Sequence, residues 1–446
     1  MRTVDRRVGV AGGVALAMAA ALVVPGAGRA QAAGTLDHVL VTGQSLAEGF
    51  TSGPALSTTQ AYGNLMLQAE FNGDTATFPA FVPLVEGVYP YPTETIASGL
   101  ADSVASRNAG VRMVVTNNAK GSSTYAQLKR GTGPYQQGLD MVAAASQLAT
   151  GQGDRDIVRA VAVIHGEDDG IVGNQHYAAD LVEWQHDYEA DVQAITGQSE
   201  PVLLMTDQMG SFLDTSTIPM QQWAAARDHP DRIVLVGPKY FLDYGVEDHL
   251  TNRAELILGE YYAKAYERQV RQGQRWTPFA PRRLTLCDRV ITARFDVPAP
   301  PIRIDTGAVV AAAHLGFRFD DRTGESPGIA GVQLADATTV TITLDATPNP
   351  AAMRLRYAAT ADGDRTPDRR ARGNLRDTDT WTGVSGVARP NWLVHFDEPV
   401  VQSCAAADVT TGVAPVPANV PTTGRRGPIR LWARLYARLV KLGLAF

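Results

Sequence analysis

Between residues 35 and about 275 the chain repeats one pattern: a short, almost continuously apolar run, then a longer stretch with helical periodicity. The runs are Asp37–Gly43, Val111–Thr116, Val158–Ile164, Pro201–Thr206 and Arg232–Val236. A strand with one face in water alternates apolar and polar residues, whereas a run that is apolar at nearly every position suits a strand covered on both faces. The segments Tyr135–Ala149, Gln175–Ile195, Pro219–Asp228 and Asn252–Arg271 supply covering helices, and in the last Leu256, Tyr261 and Ala265 recur on a helical period. Repeated strand–helix units predict an α/β fold with a doubly wound, mostly parallel sheet over residues 33–277. Sites in such sheets form beyond the carboxyl ends of the strands, so the residues just after each run are where chemistry is expected.

A chain of 446 residues is too long for one ordinary core. Pro278, Pro281, Pro298, Pro300 and Pro301 mark a change of style, after which short alternating runs such as Thr339–Leu344 are punctuated by Gly, Asp and Pro. Residues 278–405 therefore read as an all-β, sandwich-like domain. Its first strand holds Cys287 and its end Cys404, the only two cysteines. They are candidates for one disulfide closing the module, the alternative being two buried thiols. Residues 406–428, rich in Pro, Thr, Gly and Ala, read as a linker. In 429–446 Arg430, Arg434 and Arg438 recur every four residues among Trp432, Leu435 and Leu439, the pattern of a basic amphipathic helix. Such a helix suits either an anionic membrane or envelope surface or the protein's own acidic body.

The first 32 residues read as a secretory signal: Arg2, Arg6 and Arg7, then apolar Val8–Val24, then Ala30-Gln31-Ala32 with cleavage expected after Ala32. The expectation is a secreted or extracytoplasmic protein, for which a bare Arg6-Arg7 pair is thin evidence of a twin-arginine route. A hydrophobic share of 45% argues against a mainly disordered chain, and a net charge of −6 argues against a general nucleic-acid binder. Two cysteines rule out an all-cysteine zinc site.

Four places after the runs carry chemically capable residues. The first is Gly43-Gln44-Ser45, where a serine at the sheet edge is either a nucleophile or a helix cap. The second is Gly121-Ser122-Ser123, where a glycine lets its backbone N–H approach an oxyanion, or simply makes a loop. The third, His165-Gly166-Glu167-Asp168-Asp169, offers a metal site, a polar wall or solvated charges. The fourth ends in Glu247-Asp248-His249, a candidate general base with Asp248, Glu247 or Asp243 to orient it. Between residues 35 and 275 there is no G-x-S-x-G turn of the ordinary α/β-hydrolase kind.

In order and spacing these blocks resemble the SGNH (GDSL-like) hydrolases, in particular their sialate O-acetylesterase-like carbohydrate esterase branch. Gly43-Gln44-Ser45 matches its G-Q-S block, and Gly121-Ser122-Ser123 resembles its glycine–serine block. His165-Gly166-Glu167-Asp168-Asp169 resembles Q-G-E-x-D, and His249-Leu250-Thr251-Asn252 resembles the end of D-x-x-H-L-T-N. Arg372-Gly373-Asn374-Leu375-Arg376-Asp377 is similar to a motif in the β domain of some members. The resemblance implies a serine esterase acting through an acyl-enzyme on an O-acetylated glycan, without metal or organic cofactor. Ser45 would be the nucleophile and His249 the base. The Ser45 and Gly121 N–H groups, with His165, would hold the oxyanion, and Gln44 and Glu167 would lie at the substrate site. Two departures stand out: Val246 occupies the place of the orienting Asp, shifting that role to Asp248 or Glu247, and His165 replaces the Gln. A carbohydrate-binding or adhesion protein on the same scaffold, and an esterase of lipid-like acyl esters at an envelope surface, are the alternative readings.

Overall fold

The seven strands of the larger sheet lie in the order Phe81–Pro83, Leu65–Leu67, Arg112–Asn117, Thr35–Gly43, Arg155–Ile164, Leu203–Gln208 and Ile233–Pro238. Only the pair at the first edge is antiparallel; every other pairing is parallel. The structure, a computed structural model, describes residues 34–404 apart from 51, 73–74, 89–91, 212–215 and 360–371. The expected signal segment, linker and basic helix therefore lie outside the described residues.

Each apolar run is a strand because side chains pointing both ways find cover. Val39 and Val41 face a layer containing Leu100, Leu258 and Tyr262. Leu40, between them, faces Leu139, Trp184 and Tyr188. The helices Ile96–Arg107 and Asn252–Tyr266 pack on the first face, and Gly133–Gly151, Tyr177–Thr196 and Ile218–Asp228 on the second. The strands begin and end within three residues of the runs, and Asn252–Tyr266 passes into a π-helical turn, Glu267–Arg271. Helix Ile96–Arg107 carries no strong sequence signal. Its small residues make a weak apolar stripe, and its start is set by the Thr95 side chain accepting the Ala97 N–H at 3.1 Å. From Thr35–Gly43 the chain winds first to one neighbour, then crosses to the other, which makes that strand's carboxyl end the switch point of the sheet.

The β region holds a five-stranded sheet, from Ile329–Leu334 at one edge to Val401–Gln402 at the other, and a three-stranded sheet of Phe317–Asp320, Arg354–Tyr357 and Phe396–Pro399. Leu284, Ile291, Ala293 and Ile342 of the first meet Phe319, Leu355, Tyr357 and Phe396 of the second in one core, which also takes in Tyr240, Tyr261 and Phe279. The seam with the α/β layers is thus apolar, and ion pairs such as Lys264–Asp379 at 2.8 Å reinforce it. Cys287 and Cys404 are joined by a disulfide across 117 positions. The Arg372–Asp377 motif is structural. The Asn374 side-chain amide donates to the carbonyls of Asp305, Val309 and Val310 at 3.1–3.2 Å and accepts the Ala312 N–H at 2.8 Å, sewing a long loop to the sheet.

Candidate active site

Gly43 ends the first strand at φ 137°, a conformation open to glycine, and a Cβ there would lie 2.1 Å from the Ile164 carbonyl oxygen. The chain turns at once. Gln44 N–H bonds to Ile164 O at 3.2 Å, and the next residues coil, with Ala47 N–H on Gln44 O and Phe50 N–H on Ser45 O, both at 2.9 Å. Ser45 is left at the rim of the sheet. The Gln44 side chain is buried, and its Oε1 accepts the N–H groups of Gly166 and Asp168 at 3.3 Å. Gln44 therefore ties two strand ends together, whereas the sequence placed it at the substrate.

His249 comes from a tight loop before the last helix. Gly245 N–H bonds to His249 O at 2.9 Å and His249 N–H to Val246 O at 3.0 Å, while Thr251 caps the helix through Ala254 N–H. Ser45 Oγ and His249 Nε2 stand 2.8 Å apart, a hydrogen bond between residues 204 positions apart. The Phe50 ring meets the imidazole edge-on at 5.1 Å between centroids. On the other ring nitrogen, Asp248 Oδ1 is 3.5 Å from Nδ1, too long for a good hydrogen bond. Among the described residues Asp248 is the only carboxylate within ion-pair distance of His249. Glu247 is exposed at φ 53°, and Asp243 and Val246 are exposed too.

Gly121 faces the serine. A Cβ on it would lie 3.8 Å from Ser45 Cβ and 2.9 Å from Glu48 Oε2. Its loop is held against the serine turn by Asn117 Nδ2 on Ala47 O at 2.8 Å and Lys120 N–H on Gly43 O at 2.9 Å. Burial raises the Glu48 pKa above the ordinary carboxylate value, and the nearby Gly121 backbone and Lys120 pull back against it. The Ser45 N–H has no protein acceptor among the described residues.

His165 is fully buried, and both its nitrogens are occupied, at 2.9 Å from the Ser123 carbonyl and 2.7 Å from the Tyr177 hydroxyl. A carbonyl only accepts, so Nε2 carries the proton and Nδ1 accepts from Tyr177. Burial lowers the pKa and favours this neutral form. The imidazole thus has no free donor for an oxyanion, which corrects the sequence expectation. It instead fixes the Gly121–Ser123 loop to the neighbouring strand end. Glu167 likewise departs from its expected place at the substrate. It is buried with Oε1 2.9 Å from Lys239 Nζ, and the same ammonium lies 3.0 Å from Asp207 Oδ2. Burial opposes the charge of Lys239, but Asp207 and Glu167 outweigh it and keep the pKa above the usual lysine value.

Glu48, Tyr177, Asp207 and Lys239 had been assigned no role from the sequence. Glu48 sits three positions after the serine, so proximity in sequence was its signal. The other three meet only through the sheet, and no local spacing marks them. The described residues bring together no metal-ligand set beyond one built on the two disulfide-bonded cysteines.

No family model matches the chain, and no curated protein matches its sequence. Solved structures do match. XAC1771, described as a carbohydrate acetylesterase from Xanthomonas citri, aligns over 81% of this chain and 80% of its own at 14% identity and a TM-score of 0.53. Est24, a carbohydrate acetylesterase from Sinorhizobium meliloti, aligns over 51% of this chain and 97% of its own, at 13% identity and a TM-score of 0.30. A carbohydrate esterase family 2 enzyme with a carbohydrate-binding domain, from Corynascus thermopiles (Myceliophthora fergusii), aligns over 53% and 67%, at 15% identity and 0.29. At such identities the likeness is one of fold, and it is carried by the first of the three, whose TM-score alone among them passes 0.5.

Proposed function

We propose that the protein is an extracytoplasmic serine esterase that removes O-acetyl or similar acyl groups from a carbohydrate. The observation that carries this reading is the 2.8 Å contact of Ser45 Oγ with His249 Nε2 at the switch point of the sheet. His249 takes the hydroxyl proton as Ser45 Oγ attacks the ester carbonyl. The negative oxygen of the tetrahedral intermediate is received by the N–H groups of Ser45 and Gly121. The sugar alcohol leaves with the proton from His249, and water, deprotonated by the same imidazole, releases the acyl group from the serine. A carbohydrate ester as substrate is supported by the four sequence blocks and by the shared fold with XAC1771.

A second reading, a non-catalytic glycan binder on the same scaffold, is favoured by one observation: His249 Nδ1 lacks a well-bonded acid. One experiment separates the readings. The mature chain and its Ser45→Ala variant are assayed with 4-nitrophenyl acetate and with acetylated glycans. Loss of turnover by roughly 10³-fold or more in a folded variant is the expected result for a serine nucleophile. Undiminished hydrolysis by Ser45→Ala would remove the esterase assignment, and tight glycan binding without turnover would establish the binder.

A further inference from the structure

Building on the esterase reading, we propose that Phe50 is a positioning residue for the catalytic base, its ring holding the His249 imidazole in line with Ser45 where a well-bonded triad acid is lacking. The turn from Ser45 to Gly49 closes in a particular way. Gly49 N–H bonds to Leu46 O at 3.2 Å, and Phe50 N–H reaches back to Ser45 O at 2.9 Å. Gly49 itself lies at φ 72°, and a Cβ there would stand 2.3 Å from the Glu94 carbonyl oxygen. This is the Schellman closure, in which a left-handed glycine folds the residue after it back over the start of the turn. Here the start of the turn is the nucleophile, so the side chain returned to the site is that of Phe50. Its ring centroid lies 5.1 Å from that of His249, with the two planes at 68°. One short turn thus offers the base both its serine and a ring to pack against.

An imidazole held by a single hydrogen bond can still swing, because the torsion that turns the ring has broad wells. On His249 the Nε2 contact with Ser45 is 2.8 Å, but the acid on Nδ1 stands off at 3.5 Å. An aromatic pair at this separation and tilt has a preferred geometry of its own, so the Phe50 ring restricts the swing that Asp248 leaves open. His249 is buried and Phe50 half-buried, which keeps the two rings packed at the rim of the site. Misplacing a reacting group by about 1 Å can cost on the order of 10²-fold in rate, so such a restraint acts on the chemical step. It asks nothing of how the ester binds. Phe50 and Asp248 restrain one ring through different contacts, and each therefore covers part of the loss of the other.

The test uses the full mature chain as wild type, Phe50→Ala, Phe50→Leu, Asp248→Asn, the Phe50→Leu and Asp248→Asn double variant, and Ser45→Ala, with 4-nitrophenyl acetate as substrate. Phe50→Ala is expected to lower kcat at least about tenfold with KM within about threefold of wild type, the split of a misplaced base rather than of a lost binding wall. Phe50→Leu keeps an apolar side chain without the ring and should lose at least about threefold in kcat; it carries the test if the alanine variant does not fold. The double variant should lose at least about fivefold more than the product of its two single losses, because the imidazole then keeps only the Ser45 contact of the three. A Phe50 that merely supports the fold would not couple to Asp248 in this way. Wild-type kcat in Phe50→Leu, a raised KM with unchanged kcat in Phe50→Ala, or single losses that simply multiply would each overturn the proposal. If Ser45→Ala abolishes turnover in that experiment, the esterase reading survives the failure. If Ser45→Ala retains wild-type turnover, or if wild type itself is inert, the two fall together.

Discussion

Ser45 and His249 meet although each sits in an unremarkable loop, and what makes them a pair is a distance of 2.8 Å at the end of one strand. The weaker partner is Asp248. A triad acid bonded squarely to the imidazole fixes its tautomer, and losing such an acid costs about 10⁴-fold in kcat. At 3.5 Å and adjacent in the chain, Asp248 contributes through charge more than through orientation. Asp248→Asn is therefore expected to lower kcat less than about thirtyfold, far below the loss for a bonded triad acid. Steady-state kinetics across pH 5 to 9 check this, and a loss near 10⁴-fold would show that the contact tightens on substrate binding. The sequence made the serine, the histidine and the neighbouring acid legible because the serine falls directly after a run that had to be a strand, and the acid and histidine directly before the last helix. Their distances were not legible, because an Asp next to a His in the chain can lie on either side of it.

At the level of elements, the site depends on how firmly three strand ends are joined. Gln44 links the serine turn to Gly166, Lys120 links the Gly121 loop to Gly43, and His165 links that loop to the helix bearing Tyr177. Replacing His165 by Leu leaves the Tyr177 hydroxyl and the Ser123 carbonyl buried without their partner, which predicts a loss of about 2–4 kcal/mol in urea unfolding. Ester turnover should fall with it, since Gly121 loses its anchor. His165→Gln can both donate to Ser123 and accept from Tyr177, so it should recover most of the stability and activity. If the Leu and Gln variants behave alike, the two hydrogen bonds are not what the residue contributes. The strands over residues 35–238 were readable because burial on both faces leaves a continuous apolar run. Helix Ile96–Arg107 was not, because its few large apolar residues, Ile96, Leu100 and Val104, are diluted by the Ala, Ser and Gly that let it pack closely against helix Asn252–Tyr266.

Across the whole molecule, the β region shares its core with the α/β part, and a buried histidine at that seam couples the fold to pH. His395 has no access to water, and burial pushes its pKa down to about 3 from the ordinary 6.5. As pH falls below 6.5 the unfolded chain takes up a proton that the folded chain refuses. Stability contributed by His395 is therefore present above pH 6.5 and is lost between there and about 3, at up to about 1.4 kcal/mol per pH unit. Glu86 acts in the opposite sense. Burial, and then Glu94, push its pKa up to about 7 from 4.5, so its contribution is present below pH 4.5 and lost as pH rises through 7. Comparing wild type with His395→Gln isolates the histidine, because the remaining groups are common to both. The variant's unfolding free energy should fall less steeply between pH 6 and 4, by close to one proton in the slope. Equal slopes would mean that His395 is protonated in the folded protein.

The sequence by itself determined the α/β repeat, the change to β structure near residue 278, and the places after the strands where chemistry belongs. These follow from burial and local geometry, which leave their period and their turn residues in the chain. Only the tertiary structure decided what those residues do. It turned Gln44, His165 and Glu167 inward as ties and counter-charges, and set Glu48 beside Gly121. The physical reason is that a polar residue beside a sheet edge has two ways to satisfy itself, a protein partner or a substrate. Which one it takes depends on atoms brought near by folding from distant parts of the chain, and local spacing carries no record of them.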